Sequence, residues 1–392
     1  MNGNFTLFRQ LILYIPRGKF DDLTAKLRSD RYVKSFDTWS QFLVLLASQI
    51  KGWSSLREIE TGFKTRENLI YHLGIKALPK RSNLSKANSK RDSLIFEALF
   101  YELLHKVISR LSSPSKFRVH RGITLFDSTI ITVSLEMFKW ATFRRKGGFK
   151  IHASYSANRK LPLFLNLTHG NVNDITGVDT DLEKYANTIV VMDRGYSSGK
   201  LFTMLDERNI EFVTRLKSDI HYALVSESTF SLGTGILSDE RIRFNGKKSK
   251  VSYVKELRLV KYYDKTTAKE FHFITNNFNY SPKTIAYLYK KRWEIELFFK
   301  WIKQNLIIRE FFGYSENAVR IQIWVSMTTY VLLQYVYQQS RYSGDILSFT
   351  RTVKEMLFEE IGILDLNLDE IRSPKHKVSK KCAIQASIFD LA

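Results

Sequence analysis

Between Phe36 and Ile50 the apolar residues recur at helical spacing, with Asp37 placed to cap the helix and Gly52 to end it. Ser55-Leu56-Arg57-Glu58 has the spacing of a capping box and predicts a second helix. A third, short helix begins near Arg81, and Asp92 to Leu111 reads as a fourth. Ser112-Ser113-Pro114-Ser115 is a linker by composition. Beyond it the period shortens. Ile123–Val133, Phe149–Ser156 and Pro162–Thr168 read as strands, with Gly147-Gly148 as a turn signal. A helix over Val178–Ala186 leads into Thr188–Met192, a continuous apolar run typical of a buried strand. Another helix and a strand, Glu211–Leu216, follow.

From His221 to about Asn277 the helical period disappears. Asn245-Gly246 marks a hairpin, and Lys250–Tyr263 and Lys269–Thr275 alternate like strands, the last one able to rejoin the main sheet. Ser281-Pro282 then opens a helix extending to Leu306. The uncharged stretch Ile321–Ser340 carries Gln322, Ser326, Thr328, Thr329 and Gln334, which fits a buried core helix better than a membrane span. The fold class is α/β: a mixed sheet flanked by helices, interrupted by a β-rich insertion and preceded by an all-α region. The expected segments are 1–115 (helical), 116–220 (first part of the sheet), 221–277 (insertion), 278–340 (rest of the core) and 341–392 (helical, then basic, tail).

Charge narrows the partner. Lys and Arg number 61 against 39 Asp and Glu, a formal net charge of +22, which favours a polyanion and nucleic acid above all. A solvated basic surface gives the same number. The basic cluster Lys76, Lys80, Arg81, Lys86, Lys90 and Arg91 contains no acid between its ends, and suits phosphate contact and a solvated helix face equally. One cysteine, Cys382, excludes an internal disulfide framework, and the eight His show no zinc spacing. The first apolar run, Leu11–Ile15, is too short for a secretory signal, so a cytoplasmic location and no membrane are expected.

Two acids occupy strand positions where burial is costly unless a cation, a hydrogen-bond network or a raised pKa answers them. Asp127 interrupts the first strand and Asp193 ends the apolar run of the fourth. If those strands are neighbours, both carboxylates reach one divalent ion; two unrelated strand-end caps are the commoner arrangement. On the helix after Pro282, taking Tyr289 as zero and about 100° per residue, Arg292 falls near −60°, Glu296 near −20° and Lys303 near −40°. Glu294 falls near 140°, on the far side, by the same count of about 100° per residue. Taken alone, this stripe equally describes an exposed salt-bridge ladder.

The order and contexts of these residues resemble the DDE transposases of bacterial insertion sequences, in particular the group marked by Tyr-x2-Arg-x3-Glu-x6-Lys. Tyr289, Arg292, Glu296 and Lys303 meet every spacing. Leu125-Phe126-Asp127-Ser128-Thr129 and Val191-Met192-Asp193-Arg194-Gly195-Tyr196 resemble the two aspartate motifs, with Gly170-Asn171-Val172-Asn173-Asp174 and Thr275-Asn276-Asn277 in support. The resemblance implies a ribonuclease H-like core in which Asp127, Asp193 and Glu296 converge to hold two Mg²⁺ or Mn²⁺ ions. It implies cut-and-paste transposition: nicking, a DNA hairpin, hairpin opening and strand transfer, with no covalent protein–DNA intermediate and no nucleotide cofactor. Tyr289, Arg292 and Lys303 would contact the DNA backbone, and Trp293 would stack on a displaced base or pack in the core. Partners would be the terminal inverted repeats and target DNA, bound by a homodimer in a synaptic complex near the bacterial nucleoid.

Other readings fit less well. Gly195-Tyr196-Ser197-Ser198-Gly199-Lys200-Leu201 is one residue short of a phosphate loop and ends in Leu201, and Gly233-Thr234-Gly235 lacks a third spaced glycine. A non-catalytic DNA-binding protein, such as a decayed transposase, would have lost an acid. A generic ribonuclease H-like nuclease would not need Tyr289, Arg292 and Lys303.

Overall fold

The computed structural model describes residues 5–111, 121–134, 136–138, 140–143, 146–178, 181–228, 235–246, 253–340 and 342–366. The expected linker at Ser112–Ser115 and the basic tail lie outside them. Six helices lead the chain: α1 (Leu7–Ile12), α2 (Arg17–Lys26), α3 (Thr38–Lys51), α4 (Leu56–Lys64), α5 (Arg81–Lys90) and α6 (Leu94–Arg110). Then come β1 (Gly122–Val133), β2 (Thr142–Phe143), β3 (Lys146–Ser156), β4 (Leu161–His169), β5 (Thr188–Met192), α7 (Gly199–Asp206) and β6 (Glu211–Arg215). The remainder is β7 (Tyr222–Glu227), β8 (Ile236–Phe244), β9 (Leu257–Asp264), β10 (Lys269–Thr275), α8 (Pro282–Lys290), α9 (Trp293–Asn305), α10 (Glu316–Gln339) and α11 (Ile346–Met356). Two compact units divide the chain, one of residues 1–112, 131–149 and 300–378, the other of 113–130, 150–299 and 379–392.

In the first unit α10 packs against α3, α5 and α6. The cap at α3 is as the sequence predicts: Asp37 accepts from Ser40 N–H at 2.8 Å and Gly52 ends the helix at φ +73°. At α4, Ser55 accepts from Glu58 N–H, while Glu58 reaches back one residue further than a regular box and accepts from Ser54 N–H. The buried polar residues of α10 bond within the protein. Ser326, Thr328 and Thr329 donate to the carbonyls four residues back, and Gln322 donates to the Ile307 and Glu310 carbonyls. No helix among the described residues is long and apolar enough to cross a membrane.

The sheet has the order β2-β3-β1-β5-β6-β10-β9-β8-β7, with β4 on β3, and apart from β2 and the ends of β1 and β3 its residues belong to the second unit. β5 is parallel to both β1 and β6, and β10 is antiparallel to β6. The run β4-β3-β1-β5-β6 has the mixed strand order expected of the core, and the mixed α/β class is as expected. The strands of 221–277 continue the same sheet, with β10 on β6. Phe126, Val190, Met192 and Phe212 face an apolar core closed by Leu201, Phe202 and Leu205 of α7. Alternation therefore turns residues 127, 191, 193 and 213 to the opposite face, where α8 lies across β5, β6, β10, β9 and β8.

Three local expectations are corrected. Val178–Ala186 forms no α-helix in its described part, only a 3₁₀ turn at Leu182–Tyr185; the polar run Asp179-Thr180-Asp181 competes with helix formation. Gly147 and Gly148 lie inside β3, where the ladder uses their backbone. β9 starts at Leu257 rather than Lys250, and residues 250–252 lie outside the described chain.

Candidate active site

Register sets the two aspartates side by side. The β1–β5 ladder pairs Phe126 with Met192, so Asp127 and Asp193 are the next residues of two adjacent parallel strands, directed to the same face. Asp193 is also anchored through its backbone, because Thr214 Oγ1 and Tyr196 N–H both donate to its carbonyl.

α8 and α9 bring the other groups. Ser281 caps α8 with Pro282 in its first turn. The helix expected to run unbroken to Leu306 is instead interrupted at Lys291–Arg292. Arg292 N–H bonds to Tyr289, Glu294 N–H to Lys291 and Ile295 N–H to Arg292, each three residues back, so the joint is overwound relative to an α-helix. That joint aims Arg292 at the strand ends. Its guanidinium lies 3.3 Å from Asp127 and 2.5 Å from Glu296, while the Tyr289 hydroxyl donates to Asp193 at 3.3 Å. The Tyr289 ring packs on Phe273 of β10 and under the Arg292 guanidinium. Glu294 points elsewhere and pairs with Lys160 and Lys291.

The electrostatics follow from burial. Although 18% of the Asp127 side chain still meets solvent, its carboxyl lies deep in protein. Burial pushes it up to about 7; Arg292 and the Ser128 N–H pull it down, and Glu296 and Asp193 push it up again. Burial likewise raises the Tyr289 phenol to about 12, with Arg292 opposing and Asp193 reinforcing. Burial works against the Arg292 charge, yet Tyr289, Glu296, Asp127 and Asp193 outweigh it and hold the guanidinium above its ordinary range. Its buried Nε has no hydrogen-bond partner among the described residues.

Among the described residues no group of three or more His, Cys, Asp or Glu side chains is gathered closely enough to hold a metal ion. One guanidinium stands between Asp127 and Glu296 instead. Asp127, Asp193 and Glu296 offer only carboxylate oxygens, the donor type a hard divalent cation takes, and burial leaves the Asp127 carboxyl reluctant to ionise even with Arg292 beside it.

The remaining sequence candidates separate. Trp293 is half-buried, without a ring or hydrogen-bond partner among the described residues. Lys303, on the part of α9 assigned to the first unit, is half-buried, and burial together with Arg309 lowers its pKa. Lys80, Lys86 and Lys90 are exposed, without ion-pair partners among the described residues. Lys76 pairs with Asp37 at 2.7 Å and Arg81 with Glu60 at 3.0 Å. Arg91 is corrected: only 7% exposed, it donates to the carbonyls of Phe36 and Asp37 and to Gln41 Oε1, and it pairs with Asp30. It braces the start of α3 and is not free for a phosphate. Sequence reasoning missed a half-buried polar group beside Asp127, formed by Ser128, Lys150 and Asp174. Its one signal was Asp174 closing the Gly170–Asp174 motif.

Comparison with known proteins fixes the class. Residues 119–332 match the family described as the transposase DDE domain, more than half of the chain. The protein belongs to that family and is an enzyme of DNA cleavage and strand transfer. Residues 4–76 match a domain of unknown function, DUF4372. A protein named as a transposase (y4zB) in Sinorhizobium fredii is 30% identical over 305 residues, covering 76% of this chain and 83% of the relative. One named as a transposase for insertion sequence element IS5377 in Geobacillus stearothermophilus is 28% identical over 289 residues, covering 72% and 75%. A third, named for element IS4SA in Synechocystis, is 26% identical over 286 residues, covering 72% and 79%.

Proposed function

We propose that the protein is a cut-and-paste transposase that cleaves the terminal inverted repeats of an insertion sequence, with Asp127, Asp193 and Glu296 as its metal-binding carboxylates. The observation that carries this reading is the register-matched pair Asp127 and Asp193, linked to helix-borne Glu296 through one guanidinium. Mg²⁺ or Mn²⁺, two per site, would supply Lewis-acid activation of the attacking oxygen and stabilisation of the leaving oxygen.

The chain's own residues prepare that chemistry. Asp127 and Asp193 are held by their strands, so little reorganisation is needed when charge develops. Arg292 pairs with Asp127 and Glu296 in the free protein and would be free to bind a DNA phosphate if those carboxylates held a cation instead. Tyr289 keeps its proton at neutral pH and donates from a fixed position, first to Asp193 and then to the DNA backbone. Lys303 adds a phosphate contact, and the unpartnered Trp293 ring offers a stacking surface for a base displaced at a hairpin. A homodimer holding both ends in a synaptic complex, then joining them to target DNA in the bacterial cytoplasm, completes the reading.

The test is incubation of the full chain with a labelled duplex carrying the element's end. With Mg²⁺ the expected products are a nick and then a hairpin that runs at about twice the strand length on a denaturing gel. Equal cleavage in EDTA would overturn the reading.

The helical region of 1–115 is assigned to end recognition through Lys80, Lys86 and Lys90, with Lys76 and Arg81 at the rim. Alanine at Lys86 and Lys90 together is expected to flatten the slope of log affinity against log salt by about 1.8, roughly 0.9 for each phosphate that is no longer neutralised. An unchanged slope would mark these lysines as solvated surface.

A further inference from the structure

Behind Asp127 lies a polar group that the cleavage chemistry does not use. Ser128 donates its backbone N–H to Asp127 Oδ1 at 2.8 Å. Its hydroxyl donates to Asp174 Oδ1 at 2.5 Å. The phenol of Tyr196, 2% exposed, lies beside this group, and burial with Asp127 and Asp174 holds its pKa well above the ordinary range. Lys150, 11% exposed, donates to Asp174 at 3.1 Å and to the Val172 carbonyl at 2.8 Å. Gly195 lies beneath the other oxygen of Asp174: a Cβ there would stand 3.6 Å from Oδ2. One carboxylate thus joins the segment after β4 to the residue following Asp127 and to the turn following Asp193.

We propose that Asp174 is a positioning residue for the reacting site, fixing Asp127 through Ser128 and holding the turns of both aspartates at one spacing. This rests on the assignment of Asp127 as a metal-binding carboxylate. The Ser128→Asp174 bond has one direction because a carboxylate is an acceptor only. Lys150 stands against that acceptor as its paired cation at 3.1 Å. Ser128 and Lys150 share Asp174 Oδ1, so an amide at position 174 can keep an oxygen towards both but carries no charge. The ammonium then loses its counter-ion, and the charge-assisted bond that orients Ser128 weakens.

The experiment measures Mn²⁺ affinity of the full chain by calorimetry, alongside the Mn²⁺ dependence of end cleavage. Asp174→Asn is expected to weaken Mn²⁺ binding about tenfold, as loss of a group orienting a ligand does. The Mn²⁺ concentration for half-maximal cleavage should rise by the same factor, with the rate at saturating Mn²⁺ within about threefold of wild type. Ser128→Ala keeps the Lys150–Asp174 pair, hence the fold, and should show the same direction of change; Asp174→Glu should restore part of the affinity. Wild-type Mn²⁺ affinity in both Asp174→Asn and Ser128→Ala would overturn the proposal. If Asp174→Asn does not fold, Ser128→Ala decides alone. Asp127→Asn, assayed in parallel, separates the two ideas: cleavage by that variant would overturn the site assignment itself. An inactive Asp127→Asn beside an unaffected Ser128→Ala would overturn only the role of Asp174.

Discussion

Glu296→Gln is expected to lower Mg²⁺-dependent cleavage on the order of 10³-fold or more while leaving end binding in Ca²⁺ nearly unchanged. Glu294→Gln, two residues away, is expected to cleave at close to the wild-type rate. The two glutamates share one turn of sequence but not one environment. Glu296 lies 2.5 Å from the guanidinium that also reaches Asp127. Glu294 is tied to Lys160 and Lys291, away from the strand ends. An amide at 296 removes a charge that no neighbour replaces, whereas an amide at 294 breaks two ion pairs and costs about 1 kcal/mol of stability or less. Cleavage of a labelled end duplex, with binding measured separately, distinguishes them. An inactive Glu294→Gln beside an active Glu296→Gln would remove the helix-borne acid from the site.

Asp127→Asn is expected to abolish cleavage and yet stabilise the metal-free protein at pH 8. The Asp127 carboxyl titrates at about 7 in the fold, against about 3.9 in an unfolded chain. The folded state therefore binds the extra proton between those values. The contribution of Asp127 to stability is complete below pH 4 and is lost as pH rises to 7. Asparagine does not titrate. The variant should exceed wild type by roughly 1–3 kcal/mol at pH 8, and the difference should shrink towards pH 5. Because a metal ion needs the ionised carboxylate, wild-type Mn²⁺ affinity should rise with pH through about 7, with proton release. Denaturant unfolding of both proteins at pH 5 and pH 8, in EDTA, checks the sign. A gap independent of pH would mean that Arg292 already satisfies the charge.

The two aspartates were legible because an acid that interrupts or ends an apolar run needs an explanation in any fold. Whether they would meet depended on β1 and β5 being neighbours, which the ladder from Gly122–Thr188 to Phe126–Met192 supplies. The caps of α3 and α8 were equally legible, since Asp37, Gly52, Ser281 and Pro282 act locally. The break at Lys291–Arg292 was not. No glycine or proline marks it, and it coincides with the pairing of Arg292 to an acid 165 residues away in sequence. Arg91 was misleading for the same reason, because its partners at Phe36, Asp37 and Gln41 lie far behind it in the chain. Lys150 and His152 gave no pattern at all. They fall within the expected strand Phe149–Ser156, and only burial shows His152 with no hydrogen bond at Nδ1 and a pKa lowered by burial, and by Lys150, to about 4.

The strands of residues 221–277 extend the core sheet, and that bears on how such proteins change over time. A domain that loops out on two linkers can be exchanged or trimmed without disturbing its host. Here β10 covers the outer edge of β6, and Asn276 just after it bonds to Phe212 N–H and the Ile210 carbonyl. Excision would strip one side of β6 and leave its peptide groups open to pairing with another chain. Each strand of the extension shelters its neighbour's edge in turn, β10 that of β6, β9 that of β10, β8 that of β9 and β7 that of β8, so a change at the rim disturbs the sheet less than removal of the whole.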